Sequence, residues 1–71
     1  MASYYKEGSK VNFDGFSGTV TKITETYRKN VLVVKVSKYH GYKYKYDNKS
    51  GDSVGLFEYP DGRLEFMAFI R

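Results

Sequence analysis

Cysteine and tryptophan are absent from this 71-residue sequence, and it has a single proline and a single histidine. Without cysteine there is no disulfide framework and no thiolate metal site. One histidine, His40, offers little to a nucleophilic triad, which needs a base oriented by a third group. Metal sites draw on several histidines, cysteines or clustered carboxylates, whereas the acids here are scattered along the chain. Asp47–Asp52, DNKSGD, has the composition of a calcium loop but lacks its ligand spacing and closing glutamate. No phosphate-cradling P-loop is present. The sequence therefore reads as a non-enzymatic protein with no metal and no cofactor. Long apolar runs are missing too, so no segment approaches the roughly 18–20 residues that span a bilayer. MASYYKEGSK at the start has no apolar core of a signal peptide. The expectation is a cytoplasmic protein that does not enter a membrane.

Acids are fewer than bases, eight against twelve, for a net charge of +4. Their distribution matters more than the sum. Arg28, Lys29, Lys35, Lys38, Lys43, Lys45 and Lys49 face a single acid, Asp47, in the stretch from 28 to 49. Such asymmetry suggests an anionic partner, although lysines also keep exposed strands soluble. Aromatic residues are plentiful, five Phe and eight Tyr, and supply bulk to a core that is marginal in so short a chain.

The pattern is one of strands and turns in a single domain, residues 1–71. Lys10–Asp14 alternates Val11 and Phe13 with polar neighbours. Asp14-Gly15 and Ser17-Gly18 are turn signals around Phe16. Gly18–Tyr27 is rich in β-branched residues, yet Val20 and Ile23 are three apart. Both can face one core if the strand bulges near Thr21–Lys22. Asn30–Lys38 puts Leu32, Val34 and Val36 on one face and Val31, Val33 and Lys35 on the other. Tyr39–Gly41 reads as a turn before an alternating Tyr42–Tyr46 segment, and Asn48–Ser53 as a loop. Val54–Tyr59 and Arg63–Ile70 flank Pro60-Asp61-Gly62, where proline presets φ and glycine supplies a positive one. Alternation predicts Leu64, Phe66, Ala68 and Ile70 on one face. Ser3–Glu7 has room for a short helical turn. Five or six short strands in so few residues bury most surface as a strongly bent sheet closing on itself. The predicted fold is all-β: a small SH3-like barrel carrying a Tyr/Lys-rich hairpin.

Lys10–Val36, KVNFDGFSGTVTKI followed by NVLVVKV, resembles the KOW motif of SH3-like barrels. A first strand precedes a loop with an aromatic residue and glycine. A glycine–x–valine–x–x–hydrophobic strand then leads to a hydrophobic strand, the places filled by Phe16, Gly18, Val20, Ile23 and Leu32–Val36. The resemblance implies binding of RNA, DNA or a protein of the transcription or translation machinery. It directs attention to Asp14–Ser17 and the basic residues near it.

GYKYKYD, Gly41–Asp47, places Tyr42, Tyr44 and Tyr46 on one side of a strand and Lys43 and Lys45 on the other. If the tyrosines are exposed, they form a base-stacking platform. If they pack on Leu32, Val34 and Val36, the lysines form an outward basic stripe. Two functions follow. In the first, a nucleic-acid-binding domain takes phosphate contacts from Arg28, Lys29, Lys35, Lys38, Lys43 and Lys45. Stacking comes from Tyr39, Tyr42 or Tyr44, and Phe16 in the Asp14–Ser17 loop is a further nucleic-acid or partner contact. In the second, a small accessory or inhibitory factor, of the kind phages encode, uses the same residues on a larger protein, since Tyr and Arg dominate interface hot spots. Capture of a small anionic ligand such as a nucleotide is a third and weaker possibility.

Overall fold

The described residues form five strands: β1 (Lys10–Phe13), β2 (Phe16–Glu25), β3 (Asn30–Tyr39), β4 (Ser53–Glu58) and β5 (Leu64–Ile70). They come from a computed structural model that describes residues 2–13, 15–40 and 51–70. All neighbours are antiparallel and in chain order, β1-β2-β3-β4-β5, in one sheet. The sheet is not closed into a barrel, because β1 and β5 do not pair among the described residues. The expected Tyr42–Tyr46 strand and its hairpin lie outside the described residues.

Strand identities follow the alternation, and the departures fall at bulges. Register shifts between Val20 and Lys22, so Val20 is buried and Ile23 packs on the core while Thr21 and Lys22 between them are exposed. A one-residue insertion is what lets inward residues three apart share a face. A second shift lies between Gly55 and Leu56 opposite β5. It breaks the alternation expected for β5. Leu64, Phe66 and Phe69 pack on the core, whereas Ile70, expected beside them, is 40% exposed on the other face.

Ser17-Gly18 is not a turn but part of β2. Glycine is needed there for a different reason. Gly18 lies opposite Val36 at a third register shift. A Cβ at this position would collide with the Lys35 carbonyl and the Val34 side chain. Gly62, in contrast, has φ 87° and closes the expected Pro60–Gly62 turn, which is joined by the Gly62 amide donating to the Tyr59 carbonyl.

The inner face carries Val11, Phe16, Val20, Leu32, Val34, Val36, Val54 and Leu56, each no more than 3% exposed. A flat sheet would leave these side chains wet. Their burial requires the bulged sheet to curl over its own face, each side chain then contributing about 1.5–3 kcal/mol. Tyr5, Phe13 and Tyr39 fill the margins of that core.

The N-terminal residues strap the open end. No helix forms at Ser3–Glu7. Instead Gly8 and Ser9 bond across to Val20, the Gly8 amide donating to the Val20 carbonyl and the Val20 amide to the Ser9 carbonyl. Ahead of them, Ser3 Oγ and the Tyr4 amide donate to the two carboxylate oxygens of Glu58 at 2.6 and 2.8 Å. Glu58 is fully buried, and Asn30 Nδ2, opposite it in the register, donates to it at 3.0 Å. A buried carboxylate is tolerated where such donors replace water.

Replacing Gly18 with Ala is expected to destabilise the fold by about 1–3 kcal/mol, the usual cost of overpacking. Urea unfolding would read this as a lower midpoint with an unchanged slope. An unaltered midpoint would mean that β2 and β3 can separate at no cost.

Candidate functional site

The described part of the basic segment identified in the sequence does not form one patch. Arg28 and Lys29 sit in the β2–β3 turn, while Lys35 and Lys38 lie toward the far end of β3. Nine residues of extended chain separate Lys29 from Lys38, roughly 30 Å. Lys43, Lys45, Tyr42 and Tyr44 lie outside the described residues, so the structure says nothing of their faces.

Two of the aromatic candidates belong to the interior. Phe16 is 1% exposed and stands between Phe13 and Tyr39, with ring centroids 5.5 and 6.2 Å away. It is core, not a contact residue. The β2 strand begins at Phe16 rather than after it, and that places its ring inward. Tyr39 continues β3 instead of turning, is half-buried against Phe16, and directs its hydroxyl to Asp52 Oδ2 at 3.4 Å. Tyr27 is the aromatic residue that sequence reasoning passed over. It is 94% exposed at the end of β2, beside Arg28.

The register assembles a different group of cations. Lys10 lies opposite Thr19, and Thr19 opposite Lys35, making one row across β1, β2 and β3. Lys10 Nζ donates to Thr19 Oγ1 at 3.2 Å. Lys38 lies opposite Ser17 in the row on one side, and the β2 bulge presents Lys22 on the other. The outward positions of these three strands hold lysine, threonine, serine, asparagine and valine, with no acid among them. Two open depressions share Ser37 on this face. One of about 200 Å³ is lined by Lys10, Asn12 and Ser17, and one of about 390 Å³ by Thr19, Thr21 and Lys35. Lys10 and Lys22 fall outside the basic segment, and only strand pairing could have joined them to Lys35.

His40 closes the end of this face. Its Nε2 is 2.9 Å from Ser17 Oγ, which donates to Asn12 Oδ1 at 2.6 Å. A hydroxyl has one proton to give, so with Asn12 accepting it the imidazole nitrogen is the donor to Ser17. The trio clasps β1, β2 and the end of β3. It does not arm the serine as a nucleophile. Among the described residues, no group of three or more His, Asp or Glu side chains is placed to hold a metal ion.

At the opposite end of β3 the cations lie on aromatic rings. Lys29 Nζ is 3.8 Å from the centroid of Phe57, and the Arg63 guanidinium 4.5 Å from that of Tyr59. Such contacts contribute about 0.5–1 kcal/mol at exposed sites. The Tyr59 hydroxyl donates to Glu65 Oε1 at 2.7 Å. That bond holds the phenolic proton and raises the Tyr59 pKa above the ordinary 10.0, with desolvation and the Glu65 charge adding to it and Arg63 opposing.

Because the folded phenol holds its proton more tightly than the unfolded one, its contribution to stability is present below the ordinary tyrosine pKa. It is lost as pH rises through the folded value. NMR titration of the Tyr59 ring carbon is expected to give a midpoint above the ordinary tyrosine value, and Glu65→Gln to lower it. A midpoint that Glu65→Gln leaves unchanged would remove Glu65 as the cause.

No family model matches the chain, and searches of curated proteins and of solved structures return no significant match.

Proposed function

We propose that this is a cytoplasmic, non-enzymatic nucleic-acid-binding domain that grips phosphates through the outward face of β1, β2 and β3. The observation that carries the reading is the row Lys10–Thr19–Lys35, flanked by Lys22 and Lys38, with no acid among the described outward positions of β1, β2 and β3. A polyanion gains from such a surface by releasing condensed counterions, and serine, threonine and asparagine side chains are ordinary partners for phosphate oxygens. Curvature adds to the fit, since the bulge that bends β2 also presents Lys22.

Phosphate and stacking contacts from Lys43, Lys45, Tyr42 and Tyr44 belong to the same proposal. The KOW-like order of glycine, valine and hydrophobic strand in Lys10–Val36 agrees with this use of a bent SH3-like sheet.

Binding to labelled single-stranded RNA, single-stranded DNA and duplex DNA, followed by anisotropy across a range of salt, tests the reading. The double variant Lys10→Ala/Lys35→Ala is expected to weaken binding to every sequence alike and to reduce the salt slope by about two. Absence of binding at low salt, or an unchanged slope in the double variant, would overturn it.

A further inference from the structure

The other half of the outward sheet face differs in chemistry from the lysine row. In β3, β4 and β5 the outward positions are Val31 and Val33, then Gly55 and Phe57, then Met67, Ala68 and Ile70, with Glu65 opposite Phe57 at one end. Gly55 leaves a gap that Met67 and Ile70 lie across, both approaching the place its side chain would occupy. The result is a continuous apolar strip in which Val31, Val33, Phe57 and Met67 are half-buried and Ile70 is exposed. Ordinary alternation would make this solvent-facing side polar, and scattered single apolar residues would need no explanation. An unbroken run across three strands does need one.

Three cations and one acid border the strip. Lys22 lies opposite Val33, Lys29 sits over Phe57 and Arg63 over Tyr59. The acid, Glu65, stands opposite Phe57 and accepts at Oε1 from the Tyr59 hydroxyl. The strip spans two strand spacings, about 10 Å, which is close to the width of one α-helix.

We infer that this strip docks an acidic amphipathic helix of a protein partner. Apolar residues one turn apart lie on Val31, Val33, Phe57 and Met67, and flanking carboxylates pair with Lys22, Lys29 and Arg63. Methionine and aromatic anchors ringed by arginine and lysine are the composition of a recognition surface. The site shares Lys22 with the proposed phosphate-binding face but uses neither Lys10 nor Lys35, so it stands whether or not that row binds nucleic acid. Such a protein joins a polyanion on one half of its sheet to a protein on the other.

The test uses the full chain and a labelled synthetic helix with leucine and phenylalanine on one face and glutamate along its flanks. A control peptide has glutamine in place of every glutamate. The acidic peptide is expected to bind at least about tenfold more tightly than the control. Amide shifts in the parent protein are expected at Val31, Val33, Phe57 and Met67. Lys22→Glu/Arg63→Glu is expected to abolish the preference, and Met67→Glu to weaken binding about tenfold. The shift map needs no variant, so the test survives if Met67→Glu fails to fold. Equal affinity for the two peptides overturns the inference. So do shifts confined to Lys10–Thr19, concentration-dependent self-association through the strip, or a single-stranded oligonucleotide that moves the same amides and displaces the peptide.

Discussion

Among the described residues a single five-stranded sheet has no second layer against which to bury its apolar face, and the rest of the described structure answers that constraint. Sandwiches bring a second sheet and α+β folds bring helices. Here the sheet must curl until its own outer strands cover the middle. The curl is made by local insertions at Val20–Lys22, Ser17–Gly18 and Gly55–Leu56, each adding twist where a flat ladder would resist bending. Gly18 permits the tightest approach, since any side chain there would meet the backbone of β3. Eight side chains from β1 to β4 then share one dry cluster.

Curling without full closure leaves an open end, and a polar device completes it. Glu58 is buried on the inner face, two residues beyond Leu56, where an apolar residue would be expected. Its carboxylate takes donors from Ser3, from the Tyr4 backbone and from Asn30. A charged acceptor fixes the strap's position more sharply than apolar contact would, because charge-assisted hydrogen bonds are short and directional. Asn30 Oδ1 remains buried with no partner among the described residues. An unmet acceptor costs about 1–3 kcal/mol, so this corner trades some stability for a defined register between β3 and β4.

The outward face is divided by the same geometry. Strands β1 and β2 are polar and rich in hydroxyls outside, and their lysines line up by register with those of β3. Strands β4 and β5 bring phenylalanine, methionine and isoleucine outward because the Gly55–Leu56 shift reverses the parity of β5 beyond it. The bulges that enclose the core thus also sort the surface into a lysine-bearing half and a more apolar half.

Much of the architecture was legible in the residues themselves. The five described strands, the Pro60–Gly62 turn and the bulge at Thr21–Lys22 follow from period-two alternation and from turn chemistry, which are local and act over a few residues. The two faces of β3 followed in the same way. Parity was the weak point. One inserted residue flips every side chain after it, so Ile70 was expected inside and lies outside, and Phe16, which resembled an exposed loop aromatic, is in the core. The mate of Glu58 was beyond reach as well, because Asn30 and Ser3 lie 28 and 55 residues away. The sequence by itself determined that this chain is all-β and positively charged, since composition and alternation need no partner to be read. Only the tertiary structure decided which cations stand together. Lys10, Lys22 and Lys35 meet through strand pairing, while Lys29 and Lys38, neighbours in the basic run, are held at opposite ends of one extended strand.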